Sequence, residues 1–172
     1  MADNITITEQ EILDAQKGWG EGIVEISNAR LEGRSFEAAA IGHINKFYNY
    51  AEGPVLFKPT LVSERQFRTT FEGALSYFIG GNKNFPEDHG FAIKPWSAVQ
   101  WENIGIKIIG NMAVAMGNYY FTHSQEIDDK GGVKEINPPN VVKVEYSFAY
   151  TKDANGALKI VLHDSHVPYN PS

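Results

Sequence analysis

The chain has 172 residues, of which 42% are hydrophobic, 21% charged and 12% aromatic, the balance of one globular domain, 1–172, with a core of its own. It contains no cysteine, which excludes disulfides, thiolate-held zinc, iron–sulfur clusters and a thiol nucleophile. A formal net charge of −6 argues against nucleic acid as a partner, since the densest basic cluster is Arg65 and Arg68, flanked by Glu64 and Glu72. No apolar run approaches the roughly 20 residues of a membrane span. Met1-Ala2-Asp3-Asn4 lacks the positive start of a secretory signal. The expectation is a cytoplasmic protein without a membrane partner.

The first half reads as helices. Thr8-Glu9-Gln10-Glu11 is a capping box, and behind it Ile12, Ala15, Trp19, Ile23 and Ile26 recur every three or four residues to about Ala29. Gly18, Gly20 and Gly22 weaken this helix, which points to close approach by another element. Ser35 caps a second helix, with Phe36, Ala39, Ala40, Ile44, Phe47 and Tyr48 on its buried side and an end near Tyr50. Val55-Leu56-Phe57 is a short strand closed by Lys58-Pro59-Thr60. A third helix runs from about Phe71 to Ile79 and stops at Gly80-Gly81-Asn82.

The second half reads as strands: Ala98 to Ile109, a turn at Gly110-Asn111, Met112 to Thr122, Val141 to Thr151, the turn Asp153–Gly156, and Leu158 to His166. The polar stretch Ser124–Asn140 between them reads as an exposed hairpin tip or loop. Helices followed by strands give an α+β fold. Four meandering strands after three helices form a curved antiparallel sheet wrapped around the N-terminal helices, a cone with one mouth suited to a small ligand.

No standard catalytic motif is present, so candidates are single residues near strand ends. The segment Leu162–Tyr169 carries most of them. On a regular strand His163 and Ser165 share one face, and Asp164 and His166 the other. A metal held by His163, Asp164 and His166 would need a bulge, so a polar pocket is the better reading. Glu87-Asp88-His89 also has a ligand-like composition but reads as a surface turn. His43 and His123 read as structural. Thr60 and Tyr77 each carry a hydroxyl in an apolar setting, and each taken alone reads as structural. Tyr119 falls with the core aromatics. Tyr146, Phe148 and Tyr150 alternate along one strand face that suits a core or a dimer seam.

Five blocks then stand out in order: Val55–Thr60, Gly73–Phe78, Glu87–Trp96, Ala115–Tyr119, and Leu162-His163 followed by Ser165 and Pro168-Tyr169. Together they resemble the iota-class carbonic anhydrases, and in particular the members that work without a metal. The resemblance runs from Thr6 to Tyr169. It implies a cone-shaped barrel of the nuclear transport factor 2-like type, a homodimer, no metal or other cofactor, and CO2 and bicarbonate as the small-molecule substrate. It also implies a pocket built from Thr60, Tyr77 and Ser165 with His163 beside them. Thr60 and Ser165 would grip bicarbonate, Tyr77 would position the attacking water, and His163 would orient Ser165 or accept the proton. The family's last strand reads His-His-Ser-Ser where this chain has His163-Asp164-Ser165-His166, and both changed positions fall on the face away from His163 and Ser165. Two other functions fit the same fold. An isomerase or dehydratase would need an acidic base inside the cone, for which Asp164 is the one obvious candidate, on the wrong face. A non-catalytic association domain would need a closed pocket and no turnover.

Overall fold

The computed structural model describes residues Thr6–Ser172. The Met1–Asn4 segment considered above lies outside them. Helix α1 spans Glu9–Leu31. Its capping box closes both ways: the Glu11 amide donates to the Thr8 hydroxyl at 3.2 Å, and the Thr8 amide donates to the Glu11 carboxylate at 2.8 Å. The three glycines mark close approaches, as the sequence predicts. A Cβ on Gly18 would lie 3.0 Å from Phe47, one on Gly20 3.0 Å from Val99, and one on Gly22 2.1 Å from the His43 ring.

Helix α2 covers Phe36–Phe47 and ends before the expected Tyr50. The reason is tertiary. Tyr48 turns extended and forms a bridge to Ile160, and the Asn49 amide donates to the Ile160 carbonyl at 3.0 Å. After a short 3₁₀ turn at Tyr50–Glu52 come strand β1, Leu56–Lys58, and helix α3, Phe71–Ile79. Gly80 stops α3 with φ 70°, a conformation that glycine adopts without a Cβ clash.

Strands β2 (Ala98–Ile109), β3 (Met112–Ile127), β4 (Val133–Lys152) and β5 (Leu158–His166) form an antiparallel meander. The sheet order is β1-β5-β4-β3-β2, with β1 parallel to β5. The sheet is open, and its inner face packs on the three helices. Of the two readings of Ser124–Asn140, the structure has the hairpin tip and not the loop. The β3–β4 ladder runs through it after a register shift at His123/Gln125 and closes at Ile127↔Val133, with only Asp128–Gly132 as the turn. This arm is solvated on both sides, so its strands carry no apolar alternation, and only the main-chain ladder defines them. Tyr146, Phe148 and Tyr150 all face the core. Among the described residues, no helix is long and apolar enough to cross a membrane.

Candidate active site

The register sets the site. Phe57 on β1, His163 on β5 and Phe148 on β4 are cross-strand partners, and their rings stack with His163 in the middle, 4.7 Å from Phe57 and 4.0 Å from Phe148. Two residues on, Ser165 pairs with Tyr146 and points to the same inner face. His163 and Ser165 are 2% and 1% exposed. Burial away from water holds the His163 imidazole neutral, with its pKa well below the ordinary value. Asp164 and His166 face outward, where His166 Nε2 lies 3.2 Å from the Glu145 carboxylate. The three residues of the conceivable metal triad therefore do not converge.

Thr60 follows β1 and reaches across to β5, so that its Oγ1 is 2.6 Å from Ser165 Oγ. Tyr77 comes from α3. Its hydroxyl accepts from the Leu61 amide at 3.4 Å and lies beside the Thr60 side chain. Burial raises the Tyr77 phenol to about 12, against the opposing pull of those bonds. The phenol therefore stays protonated and can donate. A cavity of about 70 Å³ opens over Tyr77, lined by Leu61, Glu87, His89, Gly90, Phe91 and Lys94. That is room for a few water-sized groups. Larger grooves lie between α1 and β2 and on the outer sheet face, and none of these hydroxyls lines them.

The loop from Pro59 to Thr69 is pinned at several points. The Arg68 amide donates to the Phe57 carbonyl at 2.7 Å. The Glu87 carboxylate accepts from the amides of Ser63, Glu64 and Arg65, which holds it ionised with a pKa of about 2. The fully buried Arg68 guanidinium makes two bonds to Asp88, at 2.6 and 2.7 Å, and Asp88 also accepts from the Ser76 hydroxyl at 2.5 Å. Asp88 is thus not the surface turn residue that the sequence indicates. It is a buried carboxylate whose partner, Arg68, is half of the basic cluster noted in the sequence.

Sequence reasoning missed three further residues. The Tyr119 hydroxyl sits 2.5 Å from Ser165 Oγ and 3.1 Å from His163 Nε2. The Tyr48 hydroxyl sits 2.9 Å from His163 Nδ1 and accepts from Trp19 Nε1 at 2.9 Å. Tyr119 carried a signal, because a phenol on a buried strand face needs a polar partner. Tyr48 and Trp19 carried none beyond their apolar helical spacing.

A family model for metal-independent carbonic anhydrases matches residues 10–167. The chain belongs to this family. It is 45% identical over 169 residues to a metal-independent carbonic anhydrase from Nostoc sp., covering 96% of this chain and 76% of that protein. It also matches the crystal structure of the iota-carbonic anhydrase from a cyanobacterium complexed with bicarbonate, with a TM-score of 0.84 and 42% identity over 99% of this chain and 98% of that one. A calcium/calmodulin-dependent kinase II association domain from Xanthomonas campestris shares the fold at a TM-score of 0.58 and 19% identity, covering 94% of this chain and 89% of that one. The carbonic anhydrase fold is thus the α+β cone read from the order of elements, with its sheet left open.

Proposed function

We propose that Thr60, Tyr77 and Ser165 form the pocket in which this carbonic anhydrase interconverts CO2 and bicarbonate, and that His163 orients Ser165 through Tyr119. The observation that carries this reading is the 2.6 Å approach of the Thr60 and Ser165 hydroxyls beside the Tyr77 phenol, which itself lines a small cavity. In the hydration direction a water oxygen attacks the carbon of CO2, one C=O π pair moves onto oxygen, and the water gives up one proton. The charge growing on the CO2 oxygens is met by hydroxyl donors already held in place. Loss of one such donor typically lowers a rate by roughly 10²–10³-fold.

The released proton needs a base. Glu87 is too weak with a pKa of about 2, and His163 has both ring nitrogens within hydrogen-bond reach of phenols. His89 is the exposed imidazole on the rim of the cavity and passes the proton to buffer. The isomerase or dehydratase reading loses the base the sequence offered it, because the Asp164 side chain is 44% exposed on the outer face.

The test is CO2 hydration by Ser165→Ala and Thr60→Ala, assayed with chelator present. Each should fall by roughly 10²-fold while still folded. Native rates in folded variants would remove both residues from the chemistry.

The homodimer belongs to this proposal too. The outer sheet face exposes Ile104 (82%), Met116 (56%) and Leu56 (59%), with Val114 and Leu162 between them. A contiguous apolar face of this kind is a protein contact surface, and a second copy of the chain is the occupant proposed.

A further inference from the structure

The buried hydroxyls form a line: Trp19, Tyr48, His163, Tyr119, Ser165 and Thr60, with successive contacts of 2.9, 2.9, 3.1, 2.5 and 2.6 Å. Each hydroxyl in it has one proton to give, and an indole N–H can only donate. These two rules, with the cost of leaving a buried hydroxyl proton unpaired, favour one direction for every bond. Tyr48 accepts from Trp19, and its other partner is His163. The Tyr48 proton therefore goes to His163 Nδ1, and the imidazole, neutral in this buried setting, carries its proton on Nε2.

Nε2 then donates to Tyr119, Tyr119 to Ser165, and Ser165 to Thr60. The Thr60 proton is left for the pocket or for the Tyr77 phenol beside it. At Tyr77 the oxygen accepts from the Leu61 amide beside the Thr60 side chain, which leaves the phenol's own proton to face the cavity that Tyr77 lines. Tyr77 lines the cavity, and Thr60 precedes its lining residue Leu61. With the proton on Nδ1 instead, Tyr48 would keep a buried hydroxyl proton with nowhere to go, which disfavours that form by roughly tenfold or more. The bonds beyond His163 would also reverse, and Thr60 would meet the pocket as an acceptor.

We propose that Tyr48 is a positioning residue which holds the His163 proton on Nε2, and thereby makes Thr60 and Tyr77 a donor-only site for a small anion. This rests on the assignment of Thr60, Tyr77 and Ser165 to the bicarbonate pocket, in which Ser165 acts through the Thr60 hydroxyl it bonds. It assigns to His163 the orienting role and denies it the role of base, since the nitrogen facing the pocket already carries a proton.

The test is the ¹⁵N spectrum of histidine-labelled native protein at neutral pH, with His163 assigned by its loss in His163→Gln. Nδ1 should have the shift of an unprotonated nitrogen and Nε2 that of a protonated one, unchanged by saturating bicarbonate. In Tyr48→Phe the Nδ1–H form should rise to a measurable share, and bicarbonate affinity, read by amide shifts, should weaken by roughly tenfold. A merely structural Tyr48 would leave the tautomer ratio alone. A proton on Nδ1 in the native protein overturns the proposal, as does a Tyr48→Phe protein with native tautomer and native affinity. If Tyr48→Phe does not fold, the native spectrum decides alone. If the native tautomer is as stated but the protein hydrates no CO2, the functional reading fails and the polarity of the line stands.

Discussion

Asp88→Asn is the substitution whose effect on stability follows most directly from the geometry. Arg68 and Asp88 have side chains 0% and 1% exposed and share two short bonds. The substitution keeps the shape of the side chain and removes its charge. The guanidinium keeps its bonds to the Arg65 and Gly73 carbonyls, at 2.8 and 2.9 Å, and its place over the Phe85 ring at 4.5 Å. The next carboxylate, Glu87, is 3.6 Å away and already committed to three amides. Removing one partner of a buried pair destabilises by roughly 3–5 kcal/mol, because the remaining charge cannot reach water. The surviving bonds place this case near the lower end. For a domain of this length each kcal/mol moves Tm by about 2–4 °C, so the expected loss is roughly 6–12 °C. Thermal unfolding followed by circular dichroism at neutral pH reads it directly. The paired replacement Arg68→Met with Asp88→Leu should recover much of the loss, since no unpaired charge is then buried. A single variant melting within about 2 °C of native would refute the account of Arg68 as a buried charge dependent on Asp88.

Glu87 supplies the pH dependence. Its pKa falls from 4.5 to about 2 on folding, first through the Ser63 and Arg65 amides, so its stabilisation is present above pH 4.5 and is lost as pH falls from there towards 2. Glu87→Gln should flatten the stability profile in that window, measured by denaturant unfolding at stepped pH. Gly22→Ala should lower stability by roughly 1–3 kcal/mol, because its Cβ would sit 2.1 Å from a His43 ring enclosed by Trp19, Phe47 and Phe78. Gly42→Ala, which meets open space on α2, should be neutral or stabilising in the same melt. Met116→Lys on the outer sheet face should shift sedimentation from dimer to monomer at micromolar protein, and a native sedimentation profile would count against that face as the seam.

Much of the site was legible as residues and little of it as geometry. The phase of β5 separated His163 and Ser165 from Asp164 and His166, because side chains on a strand alternate regardless of what surrounds them. The capping box and Ser35 cap likewise set the starts of α1 and α2 from local chemistry alone. The polar arm of β3 and β4 reads in sequence as a hairpin tip or a loop without a choice between them, because a doubly solvated hairpin writes no apolar pattern. The burial of Arg68 went unread for a related reason: an arginine looks the same in sequence whether water or a buried carboxylate receives it.

The sequence by itself determined the order of helices and strands, the inward face of the last strand and the family, since each is written in short-range periodicity or in contiguous blocks of residues. The tertiary structure alone decided which hydroxyl meets which. Thr60 and Ser165 stand 105 residues apart in the chain, Tyr119 and Ser165 46, and Tyr48 and His163 115. Those contacts depend on β1 closing against β5 and on α1 and α2 packing on the inner face, and no spacing along the chain encodes a register between strands that are not neighbours in sequence.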